Sequence, residues 1–495
     1  MSGFIIGLDQ STQGTKGLLF DKEGHLIARE DEPHEQKLGP QGHISHDPNE
    51  IYGNVKKVVT RLLSKNGIRT GEVLGIGISN QRETTLAWDH QTGKPFCDAV
   101  VWQCARAEKI CRQISEEDGD YIRKHTGLRL SPYFPASKMA WILQNCTSAR
   151  EAAVRGKLCL GTMDSWLCFK MTEGVVFATD YSNASRTQLF DLHSLSWNDK
   201  LCQIFGVPKE ALARVQASDS LFGETRLDGL FDRPVPIHAV MGDSHAALFG
   251  QNCRQSGQMK VTYGTGSSLM LNTGGRLVES EHGLVTSIAW KAGGRVEYVL
   301  EGNLNDTGAV VSWLKNGLGL ISSAAETEKL AFSANPEDMT YLVPAFSGLG
   351  APYWKSQARA LLLGMNRKTG RAEIVKAALD CIAYQVTDIL LAARQDSGME
   401  LLQLRADGGP TKNRYLMQLQ SDMVKLPVLV SETEELSGAG AAYMAGIALK
   451  IYDDRRIFAG LCHHTYRPQM RERTQKERYE GWKEAVRRAF QDINT

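Results

Sequence analysis

Residues 11–16, Ser-Thr-Gln-Gly-Thr-Lys, place hydroxyls, a glycine and one cation in a short polar stretch. Apolar runs at 4–6 and 18–20 flank it, which predicts two strands joined by a tight turn. Such a turn suits phosphate oxygens, because it offers several N–H and O–H donors. Asp9 precedes the turn and would repel a phosphate without an intervening cation, for which Mg²⁺ is suited. An ordinary hairpin with a polar tip explains the same residues, so this stretch alone leaves both interpretations open.

A second polar turn of the same design lies in the other half of the chain. Residues 260–275 read KVTYGTGSSLMLNTGG, again a predicted strand, a Gly-Thr-Gly-Ser-Ser turn and a second strand. Two such turns predict a duplicated fold in which each half contributes one phosphate-binding hairpin to a shared cleft.

Charged residues follow one of the predicted strands directly. Arg82 and Glu83 come after the strand at 73–79, and α/β proteins bind ligands at the carboxyl ends of their strands. The alternative is a surface ion pair worth less than about 1 kcal/mol. Trp102 ends a predicted strand at 99–103, where it either packs in the core or forms the wall of a ligand site.

Asp243 lies between a predicted strand at 237–241 and a following helix. That position suits a general base, although an N-cap aspartate is the common structural explanation. His245 is a second candidate base, but two residues away it would point elsewhere in most geometries.

Gly408 and Gly409 form a turn after another strand, and a backbone without side chains can lie flat against a nucleoside ring.

Composition limits the class of protein. The chain has 495 residues, a formal net charge of +1 and 42% hydrophobic residues, which favours two ordinary globular domains and argues against nucleic-acid binding. Its 10 cysteines form no CxxC pair, which is typical of reduced thiols in a cytoplasmic protein. Because the sequence lacks a long apolar stretch and a charged leader, we expect neither membrane insertion nor a signal peptide.

The predicted elements alternate between strand and helix, so the fold class is α/β. We expect a third strand at 25–32 and helices at 48–63, 106–117, 137–145, 372–394, 413–423, 436–449 and 471–494. Residues 161–167 and 179–185 are rich in turn formers. The Gly/Pro-punctuated loop at 347–354 is a candidate hinge or lid.

With these pieces in place, the chain resembles the FGGY family of carbohydrate kinases, most closely its glycerol kinases. The resemblance runs nearly end to end and rests on these segments in order: GLDQSTQGTKGLLFD (7–21), ISNQRETTLAWD (78–89), VVWQC (100–104), TMDSWLCFKMT (162–172), TDYSNASRTQLFD (179–191), GDSHAALFGQ (242–251), YGTGSSLMLNTG (263–274), PAFSGLGAPYW (344–354) and DGGPTKNRYLMQLQSDM (407–423). It implies two actin-like, ribonuclease-H-like domains around a catalytic cleft. Residues 1–250 would bind the polyol or sugar and carry the base, and residues 251–495 would bind ATP.

The resemblance also implies a reaction and the residues that carry it. The γ-phosphoryl group of ATP passes to a primary hydroxyl of a small polyol, with glycerol favoured, and Asp243 takes the proton. The implied polyol site consists of Arg82, Glu83, Trp102, Tyr133 and Asp243. The implied ATP site consists of Thr12, Lys16, Gly264, Thr265, Val311, Ser312, Gly409 and Asn413, with Mg²⁺ near Asp9 and Asp243.

Two pocket positions depart from the glycerol kinase pattern. Ser244 stands where those enzymes have Gln, and Ser268 where they have Phe. Both changes remove bulk, so the pocket either refills around glycerol or takes a polyol or ketose of four or five carbons, such as erythritol, threitol, xylulose or ribulose. Asn303, Asn305 and Asp306 replace small and apolar residues and would supply further hydroxyl contacts, or form a solvated turn.

Two other classes share the phosphate hairpins. An actin-like ATPase has no use for the Arg82, Glu83 and Trp102 pocket, and a homologue without catalysis would not need Asp9 and Asp243. The resemblance further implies a homo-oligomer, either a dimer or a tetramer.

Overall fold

The computed structural model describes residues 3–433 and 435–490, so the last residues of the helix predicted at 471–494 lie outside it. The strands of the described residues are β1 Phe4–Gln10, β2 Gly14–Phe20, β3 Leu26–Pro33, β4 Lys37–Leu38, β5 Ile44–His46, β6 Val73–Asn80, β7 Thr85–Asp89, β8 Ala99–Val100, β9 Leu158–Thr162, β10 Ala178–Asp180, β11 Phe190–Asp191, β12 Ser196–Trp197, β13 Arg214–Gln216, β14 Leu221–Thr225, β15 Val235–Gly242, β16 Met259–Tyr263, β17 Ser267–Gly274, β18 Val285–Ala292, β19 Arg295–Leu304, β20 Tyr341–Val343, β21 Leu361–Leu363, β22 Leu404–Asp407, β23 Val428–Ser431 and β24 His463–Tyr466. The α-helices are α1 Pro48–Lys65, α2 Glu108–Gln113, α3 Glu116–Thr126, α4 Pro135–Asn145, α5 Thr147–Val154, α6 Met163–Met171, α7 Tyr181–Ala184, α8 Asp199–Phe205, α9 Asp243–Gly250, α10 Gly308–Asn316, α11 Glu326–Ser333, α12 Arg371–Ser397, α13 Arg414–Val424, α14 Leu436–Ala448 and α15 Glu472–Ala489.

Two large sheets repeat one strand order, which confirms the predicted duplication. The first runs β14-β15-β6-β1-β2-β3 and the second runs β18-β19-β17-β16-β22-β23-β24. In the first sheet, β3, β2 and β1 are antiparallel, and β6 and β15 continue parallel to β1. In the second sheet, β19, β17 and β16 are antiparallel, and β22 and β23 continue parallel to β16.

The central strands are covered on both faces, which is why they read as continuous apolar runs. Ile5, Ile6 and Leu8 of β1 are fully buried, and so are Ile76 and Ile78 of β6. Parallel strands with helices on both faces show this pattern instead of a strict alternation of apolar and polar residues.

Helix α14 confirms the close packing that its small residues predict. A methyl group on Gly440 would lie 1.8 Å from the carbonyl oxygen of Ala246 in α9, and one on Gly7 would lie 2.4 Å from the carbonyl oxygen of Gly438. The backbones therefore approach too closely for any side chain at these positions. As a result, a helix from the second half of the chain packs on the central strand of the first sheet.

Several local predictions were wrong. The strand predicted at 99–103 ends at Val100, so Trp102 lies in a turn. The polar stretch at 161–167 is largely the helix α6, whose residues are almost all buried. Because it is buried all round, α6 shows no amphipathic period to mark it as a helix. No helix of the described residues is both long and apolar enough to span a membrane.

Candidate active site

Three parallel strands of the first sheet deliver polar residues to one edge. In the strand register, Asp9 of β1 pairs with Ser79 of β6, and Ser79 also pairs with Met241 of β15. The chain leaves β6 towards Arg82 and leaves β15 at Asp243, so both residues meet Asp9 at the carboxyl edge of the sheet. Open α/β sheets bind ligands at this edge.

Asp243 is the accessible carboxylate of this group. Its side chain is 35% exposed, and its Oδ1 lies 3.2 Å from Nε of Arg82. The same oxygen accepts a hydrogen bond from the backbone N–H of Ser244 at 2.6 Å. These contacts hold the carboxylate at the open edge of the sheet, where it can reach a substrate hydroxyl.

A buried network of four charges lies beside Asp243. Arg82 donates to both carboxylate oxygens of Glu301, at 3.0 and 2.8 Å. Arg186 donates to Glu301 at 2.7 Å and to Glu83 at 2.6 Å. Burial disfavours the ionised form of Glu301, but Arg186 and Arg82 outweigh burial and hold its pKa well below the usual range. Arg82 and Glu83 are therefore not a surface ion pair with each other, because each pairs with a distant residue.

Sequence reasoning missed Arg186 and Glu301 as members of the site. Arg186 follows α7, and Glu301 lies on β19 of the other sheet. Both side chains are at most 1% exposed, and no local sequence pattern sets either residue apart from its neighbours. Arg186 lies within residues 179–191, one of the segments that carry the family resemblance, whereas Glu301 lies outside all of these segments.

Aromatic side chains form one wall of the site. The indole Nε1 of Trp102 donates to Oγ1 of Thr12 at 2.9 Å, and the Trp102 ring lies edge-on to Tyr133 with centroids 5.4 Å apart. The Trp102 side chain is partly buried, and its hydrogen bond to Thr12 links the first polar turn to this aromatic wall. His245, in contrast, is buried, and its Nε2 lies 3.4 Å from Oγ of Ser287.

The first polar turn carries side-chain charge. Lys16 Nζ donates to Glu435 at 2.7 Å and lies 3.9 Å from Oδ2 of Asp9. Asp9 accepts from Oγ of Ser79 at 2.9 Å. Burial raises the pKa of Asp9 to about 6, with Lys16 opposing the shift and Asp243 adding to it.

The second polar turn is held by backbone. The carbonyl oxygen of Gly264 accepts from the N–H of Gly308 at 2.9 Å, and that of Thr265 accepts from the N–H groups of Thr307 and Ala309 at 3.0 Å. The turn is thereby fixed to the start of α10. Gly264 and Thr265 are themselves exposed, which leaves them accessible to a ligand.

A cavity of about 560 Å³ lies next to this turn and joins α10, α11 and the turn before α13. Its lining includes Val311, Ser312, Gly409 and Asn413, all predicted to contact the nucleoside. The Asn413 side chain is partly occupied, since Oδ1 caps α13 at the N–H of Leu416 and Nδ2 donates to Thr327 at 3.0 Å.

A second cavity, of about 240 Å³, lies beside the charge network. Tyr133, Arg186, Glu301, Asn303 and Asn305 line it, together with the loop predicted as a hinge or lid. Ser268 donates to Glu301 at 3.2 Å and so belongs to the network. Ser244 lies next to Asp243, with its backbone N–H on that carboxylate.

Duplicated halves, a carboxylate beside an arginine and a separate nucleoside-sized cavity are what a small-molecule kinase requires. The family model for the N-terminal domain of the FGGY family of carbohydrate kinases matches residues 4–250, and that for the C-terminal domain matches residues 259–449. The chain belongs to the FGGY family of carbohydrate kinases and is an ATP-dependent enzyme.

Individual proteins agree with this assignment. The chain is 44% identical to glycerol kinase 1 of Thermotoga maritima over 98% of its own length and 99% of that protein. It matches the crystal structure of Plasmodium falciparum glycerol kinase with ADP at 34% identity and a TM-score of 0.93, over 99% of both chains. A ligand-bound xylulose kinase from Lactobacillus acidophilus shares the fold, with a TM-score of 0.88 at 20% identity over 99% of both chains.

Proposed function

We propose that the enzyme transfers the γ-phosphoryl group of ATP to a primary hydroxyl of glycerol, giving glycerol 3-phosphate. The observation that carries the proposal is the exposed Asp243 carboxylate, held 3.2 Å from Arg82 at the carboxyl edge of the first sheet. The names of the relatives at 44% and 34% identity support glycerol as the substrate.

In this proposal Asp243 accepts the proton of the attacking hydroxyl. Arg82, Glu83 and Tyr133 hold the other hydroxyls of the polyol, and Trp102 covers its carbon atoms. A hydroxyl-rich ligand needs charged partners of this kind, because hydrogen bonds between neutral groups barely outcompete those with water. Ser244 and Ser268 complete the polyol pocket.

The nucleotide lies across the two polar turns. Thr12 and Lys16 of the first turn and Gly264 and Thr265 of the second donate to phosphate oxygens. The cavity lined by Val311, Ser312, Gly409 and Asn413 holds the adenosine. Phosphoryl transfer depends mainly on positioning and charge neutralisation, and these turns would supply both.

Asp9 and Asp243 fit a magnesium site. Both are carboxylates at one sheet edge, and the charge of Asp243 raises the cost of ionising Asp9, which a cation between them would offset. The described residues contain no cluster of three or more metal-ligating side chains. A site with two carboxylates suits Mg²⁺, which takes its remaining ligands from phosphates and water. When bound, the ion neutralises charge on the transferring phosphoryl group.

The remaining parts of the proposal concern organisation. We place the division between the polyol domain and the ATP domain at residue 250, and we propose a homo-oligomer, dimer or tetramer, in the cytoplasm. The cysteines support a reducing compartment, since all ten are free thiols.

Phosphorus NMR of a reaction with Mg-ATP and glycerol tests the proposed function. We expect the resonance of a phosphomonoester to grow in step with ADP. The control is the same mixture without glycerol, in which ATP should remain intact. Rapid ATP hydrolysis without any phosphorylated polyol would instead indicate an actin-like ATPase.

A further inference from the structure

A group of buried polar side chains lies directly behind the first polar turn. We propose that His34 of this group is a positioning residue for phosphoryl transfer. His34 donates to the carbonyl oxygen of Ser11 and thereby directs the backbone N–H of Thr12 towards the phosphate groups of the nucleotide. Gln10 and Gln81 support His34 in this role. The inference rests on the proposed function, because it concerns how the turn holds the phosphates of ATP.

His34 contacts the turn at two points. Its backbone N–H donates to the carbonyl oxygen of Gln13 at 3.2 Å, and Nε2 of its ring lies 2.9 Å from the carbonyl oxygen of Ser11. Since a carbonyl oxygen only accepts hydrogen bonds, the ring hydrogen lies on Nε2. His34 follows directly after β3, whose last residue, Pro33, pairs with Gly14 in the sheet. One residue therefore restrains the turn through its backbone and through its ring.

The Ser11 carbonyl oxygen has further donors around it. Nε2 of Gln10 lies 2.8 Å from this oxygen, and Nε2 of Gln81 makes a longer contact at 3.5 Å. The nitrogens of Gln10 and His34 lie 3.3 Å apart because both approach the same oxygen. On its other side, Ser11 donates its N–H and its hydroxyl to the carbonyl oxygen of Gly14, at 2.9 and 3.0 Å. The orientation of Ser11 is therefore fixed from both sides.

A fixed Ser11 carbonyl also fixes the N–H group of the next residue. In a trans peptide the carbonyl oxygen and the following N–H point in opposite directions, so the N–H of Thr12 faces away from the buried group. This N–H has no hydrogen-bond partner within residues 3–433 and 435–490, and Thr12 is only partly buried. Hydrogen bonds to a carbonyl polarise its peptide group, which strengthens the N–H as a donor. A phosphate oxygen is the acceptor that such an N–H suits.

The surroundings of His34 keep its ring neutral. The side chain is 8% exposed, and burial lowers the pKa of the ring below its usual value of 6.5, although the Ser11 carbonyl and the charge of Glu50 oppose the shift. The ring of His46 lies edge-on to it, with centroids 5.4 Å apart, and burial together with the charge of His34 lowers the pKa of His46 to about 4. At pH 8 both rings are therefore neutral, and His34 carries the single ring hydrogen that it donates to the turn.

Steady-state kinetics of His34→Phe at pH 8 tests the inference. Phenylalanine fills the space of the imidazole but cannot donate, so kcat/KM for ATP should fall about fivefold, the equivalent of one hydrogen bond. The KM for glycerol should change by less than about twofold, because the turn does not contact the polyol. His25→Phe, at a position whose side chain is 75% exposed, is the matched control and should change neither value.

Two polar variants separate hydrogen bonding from packing. In His34→Gln the carboxamide N–H can reach the Ser11 carbonyl, so kcat/KM for ATP should return to within about twofold of the unmodified enzyme. His34→Asn is shorter by one methylene and should behave as His34→Phe does. This pair decides the question even if His34→Phe does not fold, and the unfolding temperature of each variant checks its folding.

Each contrary result has a distinct meaning. An unchanged kcat/KM for ATP in His34→Phe would overturn the inference. Equal losses in His34→Gln and His34→Asn would also overturn it, because they would show that the residue acts through packing alone. If the unmodified enzyme phosphorylates no glycerol, the proposed function itself fails.

Discussion

The two sheets end their central strands in acidic residues, but the surroundings of these residues differ. In the second sheet, Asp407 accepts from Gln251 at 2.8 Å and from Thr262 at 2.7 Å. In the first sheet, Asp9 accepts a hydrogen bond from Ser79, and the Asp243 side chain is 35% exposed although Arg82 and the Ser244 N–H contact it. A buried carboxylate with two side-chain donors stabilises its surroundings, whereas a pair of carboxylates at one edge, one of them partly exposed, can serve a cation and a proton.

The two polar turns also differ in the contacts that hold them. The first turn contributes the side chains of Thr12 and Lys16, both already engaged with distant residues. The second turn is fixed through backbone hydrogen bonds to the start of α10. The two halves therefore share one scaffold but hold their polar turns in different ways.

The largest expected effect comes from Asp243→Asn. Because the amide cannot accept the proton, kcat for glycerol should fall by about a factor of 10³. The coupled release of ADP measures this rate. Asp199→Asn, at the exposed start of α8, is the matched control and should keep full activity. A loss of less than about tenfold in Asp243→Asn would remove Asp243 from the role of base.

Glu301→Gln should have the next largest effect, which we expect on stability. Glu301 lies on β19 of the second sheet and accepts hydrogen bonds from both arginines of the charge network. Arg82 and Arg186 would lose their shared carboxylate and keep only Asp243 and Glu83, and breaking a buried ion pair costs about 3 kcal/mol or more. The apparent unfolding temperature should therefore drop clearly. Glu297→Gln on the same strand is the control, and equal unfolding temperatures for both variants would contradict the account.

A smaller effect is expected on the apparent affinity for Mg²⁺ as the pH is lowered. Since burial raises the pKa of Asp9 to about 6, lowering the pH from 8 to 5 should protonate this carboxyl and weaken the apparent Mg²⁺ affinity. The expected loss at pH 5 is about tenfold, one pH unit below that pKa. Asp9→Asn should bind Mg²⁺ weakly at every pH. Because the nucleotide titrates equally in both measurements, the difference between the two pH curves isolates the contribution of Asp9. Parallel pH curves for the two proteins would show that Asp9 is not the group that titrates.

Much of the scaffold could be predicted from local patterns. Both hairpins, the strand Val73–Asn80 and the long helix Arg371–Ser397 carry apolar runs or clear periods, and they were found within a few residues of their bounds. Helix α3 was missed because its sequence, EEDGDYIRKHT, buries only Ile122 and Thr126 and so shows no apolar stripe.

The charge network could not be predicted in the same way. Arg82 and Glu83 were found because they follow a strand directly, but their partners Arg186 and Glu301 lie far away in sequence. No periodicity or turn signal connects such positions, since only the packing of the two halves brings them together. For the same reason, the sequence suggested that the pocket departs at Ser268 but not that Asn303 lies opposite it.

The most direct test of the division between the two halves is calorimetric titration of ADP into Asp243→Asn and Asn413→Ala. We expect Asp243→Asn to bind ADP within about twofold of the unmodified enzyme, although it is nearly inactive. Asn413→Ala should bind ADP about fivefold more weakly, from the loss of roughly 1 kcal/mol at the nucleoside cavity. Strongly weakened ADP binding in Asp243→Asn, with unchanged binding in Asn413→Ala, would contradict the assignment of chemistry to the first half and nucleotide binding to the second.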